Sequence, residues 1–231
     1  MQIIVNHLTR MQPGYVCVAG LEVATGRPIR PVLTGRLSRD LLACQGGAFD
    51  NSALVELGQV TPVGRPPETE DHRFDSKQLR LLGYRNPLDF WGGLQDVAQA
   101  SLTAIFGPDL EPRGSGATVD LNKGGVSLGC FIPAHPPILE VNPWDRVRIE
   151  VKDGIFALDL SVTDLRLYEP DQVTPKYELI EKVAKRIASK TPVILSMGLT
   201  RGWRKPGDSV ERHWLQVNNI HLADDPAWRY A

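Results

Sequence analysis

Glycine or proline interrupts this chain about once in every six residues, 21 and 18 of them respectively among 231. Glycine weakens a helix interior and proline breaks it, so a chain punctuated this often favours short strands and turns over long helices. Residues 2–6, 15–23, 28–33 and 53–57 read as strands, and in the last of these Ala53, Val55 and Leu57 share one face. Gly20 sits inside the second run, where a strand of a small closed barrel needs a bend or bulge. Thr25-Gly26 supplies a turn, and residues 59–70 are a proline-rich connection leading to short strands at 71–74 and 79–82. Farther on, residues 147–151 alternate cleanly, Asp153-Gly154 has the dipeptide of a tight hairpin turn, and residues 155–162 return. Strands at 193–198 and 213–222 close the domain, and Trp228 in the tail 223–231 is placed to pack back on it.

Two helices stand among these strands. Asn86 caps the first and Pro87 occupies its first position, where a missing N–H costs nothing; apolar residues then recur at helical spacing until Gly107-Pro108. The second spans 175–189, with Glu178 and Glu181 early and Lys182, Lys185, Arg186 and Lys190 late, as the helix dipole favours. Leu179, Val183 and Ile187 form its buried stripe. The stretch 111–125 is Gly-rich and reads as a mobile loop. The class is mainly β with a few helices (α+β).

The net charge of −1 excludes a global field that would drive the chain onto nucleic acid or an acidic membrane, so any such binding must use a local patch. Cys17, Cys44 and Cys130 are widely spaced and form no CxxC pair, which argues for free thiols rather than a zinc ribbon or disulfide framework. A strand begins within two residues of the N-terminus, with no leader pattern and no apolar run near twenty residues, so a cytoplasmic location away from membranes is expected. No P-loop, GxSxG elbow, HExxH or dinucleotide fingerprint is present. No cofactor and no metal are expected.

A short motif occurs near both ends. Residues 3–7 run into Leu8-Thr9-Arg10, a turn and a strand; residues 193–198 run into Leu199-Thr200-Arg201, a Gly/Pro loop and a strand. The shared context suggests a duplicated β module with an arginine at the same point of each copy. After the second copy, Arg201, Trp203, Arg204 and Lys205 combine cations with an aromatic face, the chemistry that pairs phosphates and stacks a base. His213 follows on a strand with polar groups on both faces, among them Gln216 and Asn218 on one side. A second basic run holds Arg27, Arg30, Arg36 and Arg39; it either tracks a phosphate backbone or pairs with Glu68, Glu70, Asp71 and Asp75. Glu70, Asp71 and His72 are the weak catalytic candidates, able in principle to hold a hard cation or polarise water. Alternation lets Glu70 and His72 converge but sends Asp71 to the other face.

Through residues 7–10, Val16-Cys17-Val18-Ala19-Gly20, Ile29-Arg30-Pro31-Val32, 195–201 and 213–222, nearly the whole chain resembles an uncharacterised bacterial family described as a dual OB-containing domain. The resemblance implies two tandem small OB-like β-barrels packed together: residues 1–85, a helix and Gly-rich connector at 86–125, and residues 126–231 with the inserted helix 175–189. It also implies nucleic-acid binding on a barrel face and a place in prokaryotic defence or nucleic-acid processing. The expected function is a non-enzymatic protein that binds single-stranded or structured DNA or RNA. Arg10, Arg30, Arg36, Arg201, Arg204 and Lys205 would contact phosphate, with Trp203 stacking and His213 beside them. Two alternatives stay open: a metal-dependent nuclease or phosphoesterase using Glu70, Asp71 and His72, and a protein-interaction module docking a partner through Trp91, Trp228 and Tyr230.

Overall fold

The structure is a computed structural model that describes residues 1–154 and 156–230. Its first half is one sheet of eight strands: β1 (Gln2–Arg10), β2 (Tyr15–Glu22), β3 (Pro28–Val32), β4 (Leu37–Ser38), β5 (Ala53–Glu56), β6 (Val60–Pro62), β7 (Asp71–Phe74) and β8 (Arg80–Tyr84). The spatial order is β6-β7-β3-β2-β1-β5-β8, with β4 on the far end of β2. The sheet curls as a half-barrel around Ile3, Val5, Leu8, Val18, Phe49, Val55 and Phe74, and β6 and β8 are its two ends. All its pairings are antiparallel except β3–β7, which sets Arg30 opposite Asp71.

The second half holds β9 (Glu111–Arg113), β10 (Gly116–Asp120), β11 (Leu128–Phe131), β12 (Ile138–Val141), β13 (Val147–Asp153), β14 (Phe156–Ser161), β15 (Val193–Leu199) and β16 (Arg212–Leu222). They form two sheets, β11-β15-β16-β10-β9 and β12-β13-β14, around a core that includes Phe131, Ile149, Leu160, Leu195 and Val217. The β13–β14 hairpin turns at Gly154, whose φ of 54° is the left-handed conformation that the Asp-Gly dipeptide foretells. Ile155, assigned from sequence to the returning strand, lies outside the described residues, as does Ala231 of the tail.

Helices cover less of the chain than the sequence predicts. The first expected helix is two: α1 (Pro87–Val97), capped by the Asn86 side chain, and α2 (Leu102–Phe106), capped by Ser101. Between them Gln99 is drawn into strand-like pairing with β11, taking its N–H to the Cys130 carbonyl at 2.9 Å. A pairing made across the fold thus overrides helical spacing. The stretch 111–120, expected as part of a mobile loop, forms β9 and β10; its glycine signal marks the turn at Gly114, and β10 buries Ala117 and Val119 against β16. α3 (Tyr177–Ala188) buries Ile180, Val183 and Ile187, with Leu179 only partly covered.

Two bulges make the joint between the halves. In β1 the register against β2 shifts between Val5 and His7, leaving Asn6 as the extra residue, so Ile3, Val5 and then Leu8 keep the core face. In β16 the register against β15 shifts around Asn218, so Leu215, Val217 and then Ile220 do the same. The bulge answers the expectation attached to Gly20, although it lies on the partner strand. A Cβ at Gly20 would sit 2.5 Å from the Ile4 carbonyl oxygen, so only glycine admits this close approach. The bulged strands face each other. The Leu8 N–H donates to Asn219 Oδ1 at 2.5 Å, Asn218 Nδ2 lies 3.1 Å from His7 Nδ1, and His221 Nε2 lies 3.2 Å from the Asn6 carbonyl. A bulge exposes unpaired polar backbone, and two of them meeting can satisfy one another across a seam.

A cleft where both motifs meet

Beside this seam lies a cleft of about 880 Å³, within the range of small-molecule sites. β1 contributes Thr9 and Arg10, β2 contributes Cys17, β3 contributes Arg30, and the loop after β3 contributes Arg36. From the other half come Thr200, Arg201 and Trp203 after β15, and Gln216 and Asn218 on β16. Both Leu-Thr-Arg segments therefore open onto one space. Sheet pairing explains the near wall: His7 opposes Ala19 and Thr9 opposes Cys17, so alternation points all four to the same face, towards the second half.

The lining holds four arginines and one carboxylate, Asp71, a formal charge of +3. The arginine runs are thus gathered rather than scattered, but two of them share that carboxylate. Arg30 Nε donates to Asp71 Oδ1 at 2.5 Å and Arg201 Nη2 to Asp71 Oδ2 at 2.7 Å. Arg201 Nη1 also lies 3.3 Å from Glu68 Oε1. Burial works against the Arg201 charge, yet Asp71 and Glu68 prevail and hold its pKa above the ordinary value. Burial pushes the Cys17 thiol up, against the pull of Arg30 and Arg201, so Cys17 is a neutral thiol in the cleft wall.

The other two guanidinium groups have no acidic partner among the described residues. Arg10 Nη1 donates to the Gln172 carbonyl at 2.8 Å, and its Cζ stands 4.1 Å over the Tyr168 ring. Arg36 is exposed, 5.6 Å over the Tyr15 ring. Trp203 is 48% exposed at the rim.

Of the residues predicted from sequence to contact nucleic acid, Arg10, Arg30, Arg36, Arg201 and Trp203 line the cleft, whereas Arg204, Lys205 and His213 do not. Lys205 turns away, with Nζ 3.5 Å over the Trp214 ring. His213 is buried beneath the site, its Nδ1 2.9 Å from the Thr200 carbonyl. In the other basic run, Arg39 is taken up by the Pro170 carbonyl and the Tyr230 hydroxyl.

Glu70, Asp71 and His72 do not converge. The Glu70 carboxylate accepts from Ser127 N–H at 2.7 Å, Ser127 Oγ at 2.9 Å and Leu128 N–H at 3.1 Å, tying the two halves together. Burial raises its pKa and the Ser127 bonds oppose that rise. His72 Nδ1 lies 2.8 Å from the Glu70 carbonyl, and Asp71 is occupied by arginines. Among the described residues no three His, Cys, Asp or Glu side chains are grouped to hold a metal ion. The aromatics proposed for docking are mostly covered: Trp91 and Trp228 are half-buried and Tyr230 is buried, while Leu82, Leu88 and Trp144 are among the exposed apolar groups. No described helix is long and apolar enough to cross a membrane.

Thr9, Cys17, Gln216 and Asn218 were missed as site residues. Gln216 and Asn218 were legible only as polar groups on one face of a strand, and Thr9 and Cys17 need the β1–β2 register to be placed.

No family model matches the chain. A tryptophan synthase alpha chain from Chlorobium phaeovibrioides is 26% identical over 164 residues, which is 66% of this chain and 55% of that protein. The chain thus spans little more than half the length of the relative it matches.

Proposed function

We propose that the cleft binds nucleic acid, with the two halves acting as OB-like units that present one shared groove. The observation that carries this reading is the convergence of four arginines and an exposed tryptophan, drawn from three distant segments, on one cleft of a chain whose net charge is −1. Arg10 and Arg36, which form no ion pair among the described residues, supply the phosphate contacts; Trp203 stacks a base. Arg30 and Arg201 are held by Asp71 and contribute field and shape. Binding is tested by fluorescence anisotropy with single-stranded DNA and RNA in low and high salt. Trp203→Ala combined with Arg36→Ala is expected to weaken affinity by tenfold or more at unchanged thermal stability, since stacking alone accounts for about 1–3 kcal/mol per base. Affinity that is undetectable in low salt, or indifferent to both changes, rejects the reading.

A second reading, docking of a protein partner, is favoured by the end strand β8 and its neighbour Leu88. Leu82 is 49% and Leu88 84% exposed there, beside an edge with open backbone groups. Light scattering of Leu82→Lys/Leu88→Lys against the parent, with and without a candidate partner, tests it.

A further inference from the structure

The cleft carries a second signal besides charge. Three buried polar atoms of its lining residues have no hydrogen-bond partner: Thr9 Oγ1, Arg10 Nε and Arg30 Nη2. Buried polar atoms are nearly always paired, because each unmade bond carries the full cost of desolvation. Thr9 and Arg30 are each only 4% exposed, and Arg30 is already fixed on its Nε side by Asp71, so its unsatisfied edge cannot easily turn elsewhere. Alternation along β1 and β2 sets Thr9 and Cys17 on the same cleft-facing side. The amides of Gln216 and Asn218 approach from the opposite strand; Gln216 Nε2 donates to Asn218 Oδ1 at 2.8 Å.

What these groups share is donor capacity. Guanidinium nitrogens only donate, and a threonine hydroxyl can donate, so the complementary group is an oxyanion with several acceptor oxygens. Each of these atoms exposes under 1 Å² to water, so a ligand meets them only where neighbouring side chains give way, which favours one compact tetrahedral anion over a base or a sugar ring. A phosphodiester inside a strand has a nucleoside on either side and cannot be drawn in. A phosphate at the end of a strand, or on a mononucleotide, can.

We infer that the floor of the cleft, at Thr9 and Arg30, is a seat for a terminal phosphate monoester. The inference rests on the nucleic-acid reading for what hangs from that phosphate, but the seat itself depends only on the unpartnered donors. The protein would then hold the end of a strand, with Trp203 stacking a base nearer the rim.

The experiment compares one single-stranded oligonucleotide of about ten nucleotides, within the span of one OB-like unit, in three forms: without terminal phosphate, with a 5′-phosphate, and with a 3′-phosphate. A charge-assisted bond to a buried seat corresponds to a preference of about tenfold or more for one phosphorylated form. Thr9→Val should abolish that preference and Thr9→Ser restore it, with melting temperatures confirming that each variant is folded. In parallel, labelling of the half-buried Cys17 by N-ethylmaleimide is read by peptide mass spectrometry, with and without inorganic phosphate. Protection by phosphate is expected in the parent and not in Thr9→Val.

Equal affinity for all three oligonucleotides, still sensitive to Trp203→Ala, overturns the phosphate seat and leaves the cleft as a general strand binder. Protection of Cys17 by phosphate with no oligonucleotide bound upholds the seat and overturns the polymer reading. If no oligonucleotide binds and phosphate gives no protection, both fail.

Discussion

The two Leu-Thr-Arg segments, one at the end of β1 and one running out of β15, face the same cleft, but one is saturated and the other is not. In the C-terminal copy, Thr200 Oγ1 accepts the Trp214 N–H at 2.9 Å, and Arg201 is divided between Asp71 and Glu68. In the N-terminal copy, Thr9 Oγ1 and Arg10 Nε have no partner, and Arg10 rests on a carbonyl and an aromatic face. One tripeptide has thus become a tether between the halves in one place and a set of unused donors in the other. The difference lies outside the motif. Carboxylates of the 68–71 segment reach Arg201 but not Arg10, so identical residues carry different roles through their neighbours alone.

The strongest way to break this contrast is to remove the carboxylate at its centre. Asp71→Ala leaves Arg30 charged and buried with no counter-ion, and unpairing a buried ion pair typically costs about 3–5 kcal/mol. Arg201→Ala should cost far less, about 1 kcal/mol or below, because the Arg201 side chain is 52% exposed and Asp71 keeps Arg30. Urea denaturation of the two variants checks the ordering. Equal losses would mean that Arg201, not Arg30, is the principal partner of Asp71.

Acid should separate the seam from the cleft. Burial, helped by the positive charge of Arg30, lowers the His7 pKa to about 3, and His221 is displaced in the same direction by burial and by Arg166. A folded-state pKa below the unfolded value near 6.5 means that the unfolded chain binds protons more readily. Stability from the neutral imidazoles is therefore complete above about pH 6.5 and declines as the pH falls towards 3, by up to about 1.4 kcal/mol per pH unit for His7 alone. His7→Gln should flatten that decline in chemical denaturation between pH 6.5 and 4, whereas cleft substitutions such as Arg36→Ala should leave it unchanged.

How much of this was legible beforehand follows from the range of each interaction. The β13–β14 hairpin, the Asn86 cap and the α3 stripe are local, and residues within a few positions determine them. Arg10, Arg30, Arg36, Arg201 and Trp203 were picked out by residue type, and the fold brings these five to one cleft. Arg204, Lys205 and His213 were grouped with them by proximity in sequence. A loop that turns after Trp203 and a strand that alternates both undo that proximity. The break between α1 and α2 and the pairing of β10 with β16 were illegible for another reason: each is decided by a strand more than thirty residues away. The two bulges lie between these cases. Paired asparagines at 218 and 219 hint at one, but their opposition to Asn6 and His7 requires the docked halves.

The smallest expected effect concerns the charges of the two copies rather than their stability. If the cleft binds a strand through phosphate, each arginine that neutralises a phosphate contributes about 0.7 to the slope of log affinity against log salt for a single strand. Arg10 makes no ion pair among the described residues, although its charge reaches the exposed Asp171, so Arg10→Gln should lower the slope by about that amount. Arg201 is already countered by Asp71 and Glu68, so phosphate binding there releases little counter-ion and Arg201→Gln should change the slope by much less. The 11–15 turn should survive the Arg10 change, because Gln172 is held separately by Gly14 N–H at 2.7 Å and the Tyr15 carbonyl at 2.8 Å. Titrations at four or more salt concentrations give both slopes. If Arg201→Gln produces the larger drop, ligand must displace Asp71 and Glu68 from that arginine, and the tether would be the binding copy after all.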